Sequence, residues 1–123
     1  MKMVLGVLGI VGGMTIASGA LAGGSDVVDV KVTGSGENFR FSVTVEHADE
    51  GWDHYADRWE VVSEDGKTVY GTRVLAHPHV NEQPFTRSGS ATIPAGVKTV
   101  IVRSNDSVHG LGGKEMKVDL PGR

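Results

Sequence analysis

Short runs of alternating apolar and polar residues, cut by Gly, Asp, Asn and Pro, recur from Asp26 to Leu120, and no stretch there keeps a helical apolar period over three turns. Alternation with period two marks half-buried strands, so the pattern predicts an all-β domain. Asp26–Val32 places Val28, Val30 and Val32 on one face, and Gly34-Ser35-Gly36-Glu37 turns the chain. Phe39–Val45 alternates with Phe39, Phe41, Val43 and Val45 inward. Tyr55–Val62 carries Tyr55, Trp59 and Val61 in one phase, and Asp65-Gly66 is a hairpin signal leading into Thr68–Ala76. With Pro78 and Pro84, His77–Arg87 reads as a connection and not as a central strand. Ser90–Ile93, Val97–Arg103 and Glu115–Leu120 are the remaining strands, separated by the Pro94-Ala95-Gly96 turn and the Gly-rich loop Asn105–Lys114. Seven strands at this spacing, with Trp59 in the core of the third, predict a single antiparallel immunoglobulin-like or fibronectin-type β-sandwich. A small barrel of the same strand count is the alternative.

Ahead of the strands the pattern changes. Met1-Lys2-Met3 is followed by an uncharged run from Val4 to Ala22 that ends in Ala20-Leu21-Ala22. A basic start, an apolar middle and small residues at the end predict a secretory signal peptide over 1–22, cut after Ala22. The alternative is an uncleaved membrane anchor, against which the glycines within the run weigh. Cleavage leaves one domain over 23–123 in the periplasm or outside the cell, with no membrane contact of its own.

Composition narrows the chemistry. The chain holds 12 Lys and Arg against 15 Asp and Glu, for a net charge of −3, and loss of Lys2 with the leader makes the domain more acidic still. Nucleic acid and anionic membranes need a basic face, so neither is an expected partner, whereas cations suit this surface. With no cysteine, disulfides, thiolate nucleophiles, iron–sulfur clusters, cysteine-based copper centres and lipid attachment to a processed N-terminal Cys are all excluded.

In an antiparallel sandwich the turns sort by end. The loops His47–His54, His77–Arg87 and Asn105–Lys114 fall at one end, and the turns at Gly34–Gly36, Asp65–Gly66 and Pro94–Gly96 at the other. All five histidines, His47, His54, His77, His79 and His109, lie on the first set. His77-Pro78-His79 restricts two imidazoles in an extended segment whose alternate side chains point the same way. Neutral imidazole is a common ligand of divalent transition metals. His77, His79, His109 and His54 are therefore the candidate ligands, with His47 less firmly placed, for Cu(II) or Zn(II). Asp53, Asp57 and Glu82 are candidates to orient them, and Tyr55 and Arg87 to line the site. Asp49 and Glu50, with Asp53, Asp57 and Glu82, add acidity to the same end and read either as solvating loop charges or, for one or two of them, as ligands or general bases.

A second reading makes the same end a periplasmic protein-binding or adaptor module, gripping a partner through Trp52, Tyr55, Phe85 and Arg87, with the histidines as a pH-sensitive rim. Enzymatic activity is the less favoured reading, because no carboxylate pair, G-x-S-x-G elbow, HExxH or phosphate loop is present to name catalytic residues. Asn105-Asp106-Ser107 matches a glycosylation sequon, which matters only in a eukaryotic secretory pathway. The pattern assigns no oligomeric state.

Three blocks, Gly51-Trp52-Asp53-His54-Tyr55-Ala56-Asp57-Arg58-Trp59, His77-Pro78-His79-Val80-Asn81-Glu82-Gln83-Pro84-Phe85-Thr86-Arg87 and Asp106-Ser107-Val108-His109-Gly110-Leu111-Gly112-Gly113, resemble those of a family of small, uncharacterised secreted bacterial proteins. The resemblance implies export and no particular activity. The predicted architecture is also similar to copper-handling periplasmic sandwiches that place histidines near sheet ends. Met116 is the one methionine after the leader, so Cu(I) trafficking through thioethers is not implied.

Overall fold

The computed structural model describes residues 24–123; the expected leader lies outside them. Seven strands form: β1 (Asp26–Ser35), β2 (Asn38–Glu46), β3 (Ala56–Val62), β4 (Val69–Val74), β5 (Phe85–Thr92), β6 (Thr99–Asp106) and β7 (Met116–Asp119). They divide into a three-stranded sheet ordered β1-β2-β5 and a four-stranded sheet ordered β4-β3-β6-β7, with every pairing antiparallel. This is the predicted sandwich, and among the described residues no helix is long and apolar enough to cross a membrane.

The core follows the alternation of β2. Phe39, Phe41, Val43 and Val45 are all buried, and they meet Trp59, Val61, Val100 and Val102 from the opposite sheet. Burying side chains of this size stabilises the fold by about 1.5–3 kcal/mol each, which a domain without disulfides requires. At one seam the sheets approach so closely that a Cβ on Gly71 would lie 2.5 Å from the Ser90 carbonyl oxygen. Glycine is needed there for space.

Three local expectations are corrected. A bulge between Val27 and Asp29 puts Val27 into the core and leaves Val28 exposed, while Val30 and Val32 pack inward as the alternation predicts. A second bulge between Ala56 and Arg58 buries Ala56 and takes Tyr55 out of the phase of Trp59 and Val61. The fifth strand starts at Phe85, paired with Val45, and not at Ser90. Phe85 is therefore a core residue and not part of an aromatic surface.

Register fixes the ends. Asp26 faces Glu46, Val45 faces Phe85, Arg58 faces Val74 and Ala56 faces Asp106. The segments 47–55, 75–84 and 107–115 consequently share one end of the sandwich, as the predicted topology requires.

Candidate metal centre

The site is built on the last residue of β6. Asp106 closes a tight loop in which its backbone N–H donates to the Gly110 carbonyl at 3.0 Å and the Gly110 N–H donates back to its carbonyl at 2.8 Å. Gly110 has a positive φ of 78°, which closes this turn at little steric cost. Asp106 Oδ1 accepts the Val108 and His109 backbone N–H groups at 2.7 and 3.2 Å, so its carboxylate is fixed by its own loop. Its other oxygen, Oδ2, points into the space between the loops.

Three imidazoles converge on that oxygen: His47 Nε2 at 2.9 Å, His54 Nε2 at 2.9 Å and His109 Nδ1 at 3.0 Å. The rings pack edge to face, with centroids of His47 and His54 4.9 Å apart and those of His54 and His109 5.1 Å apart. Donor atoms of His47, His54 and Asp106 all lie within 4.8 Å of one another, the one such grouping of metal-ligating side chains among the described residues. Exposure is graded: the Asp106 side chain is 0% exposed, that of His54 15% and that of His109 40%, so the cluster opens to solvent on the His109 side.

The far sides of two rings are also held by carboxylates. His47 Nδ1 bonds Asp49 Oδ1, and His54 Nδ1 lies 3.0 Å from Glu50 Oε1. A neutral imidazole has one N–H and one lone pair. A ring with carboxylate oxygens at both nitrogens is therefore either an imidazolium or directs its lone pair to a cation lying between it and the acid. The arrangement can hold protons or a metal ion at the same place. The electrostatics agree: hydrogen bonding to Asp106, then to Glu50, raises the His54 pKa above its ordinary value. Burial pushes Asp106 upward, but donation from His109, the Val108 N–H and His54 outweighs it and holds the carboxyl well below the usual range.

The remaining sequence candidates sit apart from Asp106. His77 and His79 stack on each other, with centroids 4.6 Å apart, and His79 lies flat on Phe85 at 3.9 Å and 9°. The Arg87 guanidinium donates to His79 Nε2 at 3.0 Å, which uses that nitrogen's lone pair and places the ring proton on Nδ1. Burial, then the nearby charges of Arg87 and His77, lower the His79 pKa. His79 thus has no lone pair turned to an ion in this arrangement, and His77 is exposed with Nδ1 against the Pro78 carbonyl oxygen at 3.1 Å. Of the predicted orienting residues, Asp53 is exposed, Asp57 accepts from Asn105 Nδ2 at 2.8 Å, and Glu82 pairs with Arg87 at 3.1 Å. Tyr55 lies beside the cluster's loop, its backbone bonded to Ser107 and its ring against Trp52.

Asp106 is not singled out by the sequence pattern, which leaves Asp49 and Glu50 among five acids of the same end without choosing between solvating and functional roles. The available signal was Asp106-Ser107-Val108-His109-Gly110, an acid three residues before a histidine in a turn closed by glycine.

No protein-family profile matches the chain. Over 96 residues it is 44% identical to a putative lipoprotein of Halomicrobium mukohataei, a match covering 77% of this chain and 47% of the relative, so the chain spans about half the length of the relative it matches. Two solved structures share the sandwich. A hypothetical protein of Pyrococcus horikoshii OT3 superimposes with a TM-score of 0.52 at 17% identity, over 78% of this chain and 88% of its own. A superoxide reductase in its oxidized state does so with a TM-score of 0.51 at 20% identity, over 84% of this chain and 94% of its own. At these identities the likeness is one of fold.

Proposed function

We propose that this chain is an exported β-sandwich domain that binds a divalent transition metal, Cu(II) or Zn(II), through His47, His54 and Asp106, with His109, the most exposed of the three imidazoles, as a fourth donor. The observation that carries the reading is the convergence of three imidazole nitrogens on one buried carboxylate oxygen at 2.9–3.0 Å. Such ions bond imidazole nitrogen and carboxylate oxygen at about 2.0–2.2 Å, which sets tetrahedral donors roughly 3.3–3.5 Å apart. The donors of His47, His54 and Asp106 already lie within 4.8 Å of one another, so loading draws them around the ion by shifts of about 1 Å, with the Asp106 contacts opening slightly and the imidazole nitrogens closing together. Imidazole and carboxylate donors without thiolate suit both ions. His109, whose side chain is 40% exposed, is the donor best placed to adjust or to leave a coordination position open. The apolar leader and the relative's description as a putative lipoprotein support export.

Calorimetric titration of metal-stripped protein tests this. We expect one ion per chain at sub-micromolar Kd, with binding lost in the His47→Ala/His54→Ala variant and retained at one ion per chain, though weakened, in His77→Ala/His79→Ala. The reverse ranking would return the site to the His77-Pro78-His79 segment, and no uptake by the unaltered protein would end the metal reading.

One observation favours a second reading, a partner-binding module. Trp52 is 68% exposed next to Tyr55, and Val80, Val108 and Leu111 are exposed on the same group of loops. Trp52 and Tyr55 match the anchor residues of interfaces, and the exposed Val80, Val108 and Leu111 add apolar surface around them. Phe85, being buried, does not belong to it.

A further inference from the structure

Asp49 is a wholly buried carboxylate in a loop of otherwise exposed acids. Its side chain is 0% exposed, and it collects donors from three segments: the His47 ring and the Ala56 N–H (3.0 Å) on Oδ1, and the His79 N–H (2.6 Å) on Oδ2. A buried carboxylate is tolerated only when its oxygens are satisfied, and this one is satisfied by groups whose positions the fold already fixes. Ala56 N–H is held by the start of β3. His79 N–H is held by a segment clamped from behind, where the His79 ring stacks on Phe85 and bonds Arg87, and Gln83 Nε2 donates to the His79 carbonyl at 2.9 Å. Gln83 also accepts the His47 backbone N–H through Oε1 at 3.0 Å. The His77-Pro78-His79 motif therefore has a use other than ligation: it locks the carboxylate that locks His47.

We propose that Asp49 is a positioning residue for the metal site, holding the His47 ring with its proton on Nδ1 and so committing Nε2 as the atom that faces the ion beside Asp106. The inference rests on the metal reading above for its purpose, but not for its geometry. His47 is buried, with Asp49 on one ring nitrogen and Asp106 on the other, so the ring cannot flip without breaking both bonds. Carboxylates in this position fix the tautomer of a ligating imidazole and raise its basicity, and their loss commonly weakens metal affinity about 10–100-fold.

The test uses the 15N-labelled full chain. Long-range 15N–1H spectra of the Zn(II)-loaded protein report which His47 nitrogen carries the proton. Zinc on Nε2 with a slowly exchanging Nδ1 proton is expected; zinc on Nδ1, or a proton on Nε2, overturns the proposal. In Asp49→Asn, which keeps the shape and removes the charge, Zn(II) affinity should fall about tenfold or more with stoichiometry unchanged. Affinity within twofold of the unaltered protein overturns the proposal. Asp53→Asn, which removes an exposed acid from the same loop, serves as the control and should change nothing. A role confined to tethering loops would not move the tautomer. Should the unaltered protein take up no zinc, the metal reading falls, and Asp49 is judged on the metal-free chain: a protected His47 Nδ1 proton supports its role and a freely exchanging one overturns it. If Asp49→Ala folds, loss of that protection is expected, and its persistence counts against the proposal; if it does not fold, the spectrum of the unaltered protein decides.

Discussion

Two buried carboxylates on the adjacent strands β3 and β6 of the four-stranded sheet are neutralised by different means. Glu60, midway along β3, receives Arg58 Nε and Arg103 Nε at 2.9 Å each. Asp106, at the end of β6, receives three imidazoles. Burial pushes Glu60 up and the two arginines more than reverse it, leaving its carboxyl below the ordinary value. Both acids stay ionised, but guanidinium never gives up its proton in a protein, whereas imidazole does so near neutrality. The first network is permanent and structural. The second can exchange its protons for a metal cation, and for that reason a cluster of histidines around an acid reads as a site where an arginine pair around an acid does not.

The largest effect expected from breaking this contrast is at Asp106. Asp106→Ala should abolish metal uptake and destabilise the metal-free protein by about 3–5 kcal/mol in urea unfolding, because the imidazoles lose a buried counter-charge. Glu60→Gln should cost about 1–3 kcal/mol and leave metal affinity within twofold. Equal effects on binding would show that the difference between the networks does not matter. Next in size is ligand stabilisation: at a hundredfold excess of free ion over Kd, the loaded protein should gain about 2.7 kcal/mol, removable by chelation and absent in Asp106→Ala.

A pH series sharpens the comparison further. Because the His54 pKa is raised in the folded state, its contribution is fully present below the ordinary imidazole range and is lost as pH rises through the raised value. Asp106 is depressed, so its contribution is present above the ordinary carboxylate range and is lost as pH falls. The metal-free cluster should therefore be firmest at mildly acidic pH, whereas metal affinity should climb as pH rises through and above neutrality and the protons leave. The Glu60 network loses its contribution only on acidification and should be flat across that rise. Chemical-shift titration of His54 and pH-dependent calorimetry separate the two. Smallest of all, Trp52→Ala should change stability by no more than about 0.5 kcal/mol and leave metal affinity intact, since the side chain is largely exposed. A large loss of affinity would tie the apolar rim to the site.

The fold was legible wherever alternation was uninterrupted. In β2 the burial of Phe39, Phe41, Val43 and Val45 follows the period-two pattern without exception. It was misread at bulges, where Val27 replaces Val28 and Ala56 replaces Tyr55, because an inserted residue reverses the phase without leaving a mark in composition. Phe85 was misplaced because Pro84 marks the end of a connection as readily as its interior. The gathering of the histidines at one end followed from topology alone. Which of them would meet did not, since the partners of Asp106 at His47 and His54 lie 59 and 52 residues away. Two acids in polar loops, Asp49 and Asp106, look like solvated charges until tertiary contacts bury them.

The pairing of Asp26 with Glu46 has a practical consequence for handling the protein. The polypeptide enters the sandwich beside His47, while Arg123 lies at the other extremity, its guanidinium on the carbonyls of Gly36 and Ile93. A support, dye or fusion attached at Gly24, next to the Asp26–Glu46 pair, is expected to sit on the same pole as the histidines and crowd them. Attachment at Arg123 presents them outward, so sensor surfaces prepared in the two orientations are expected to differ in how fast the proposed metal reaches the cluster.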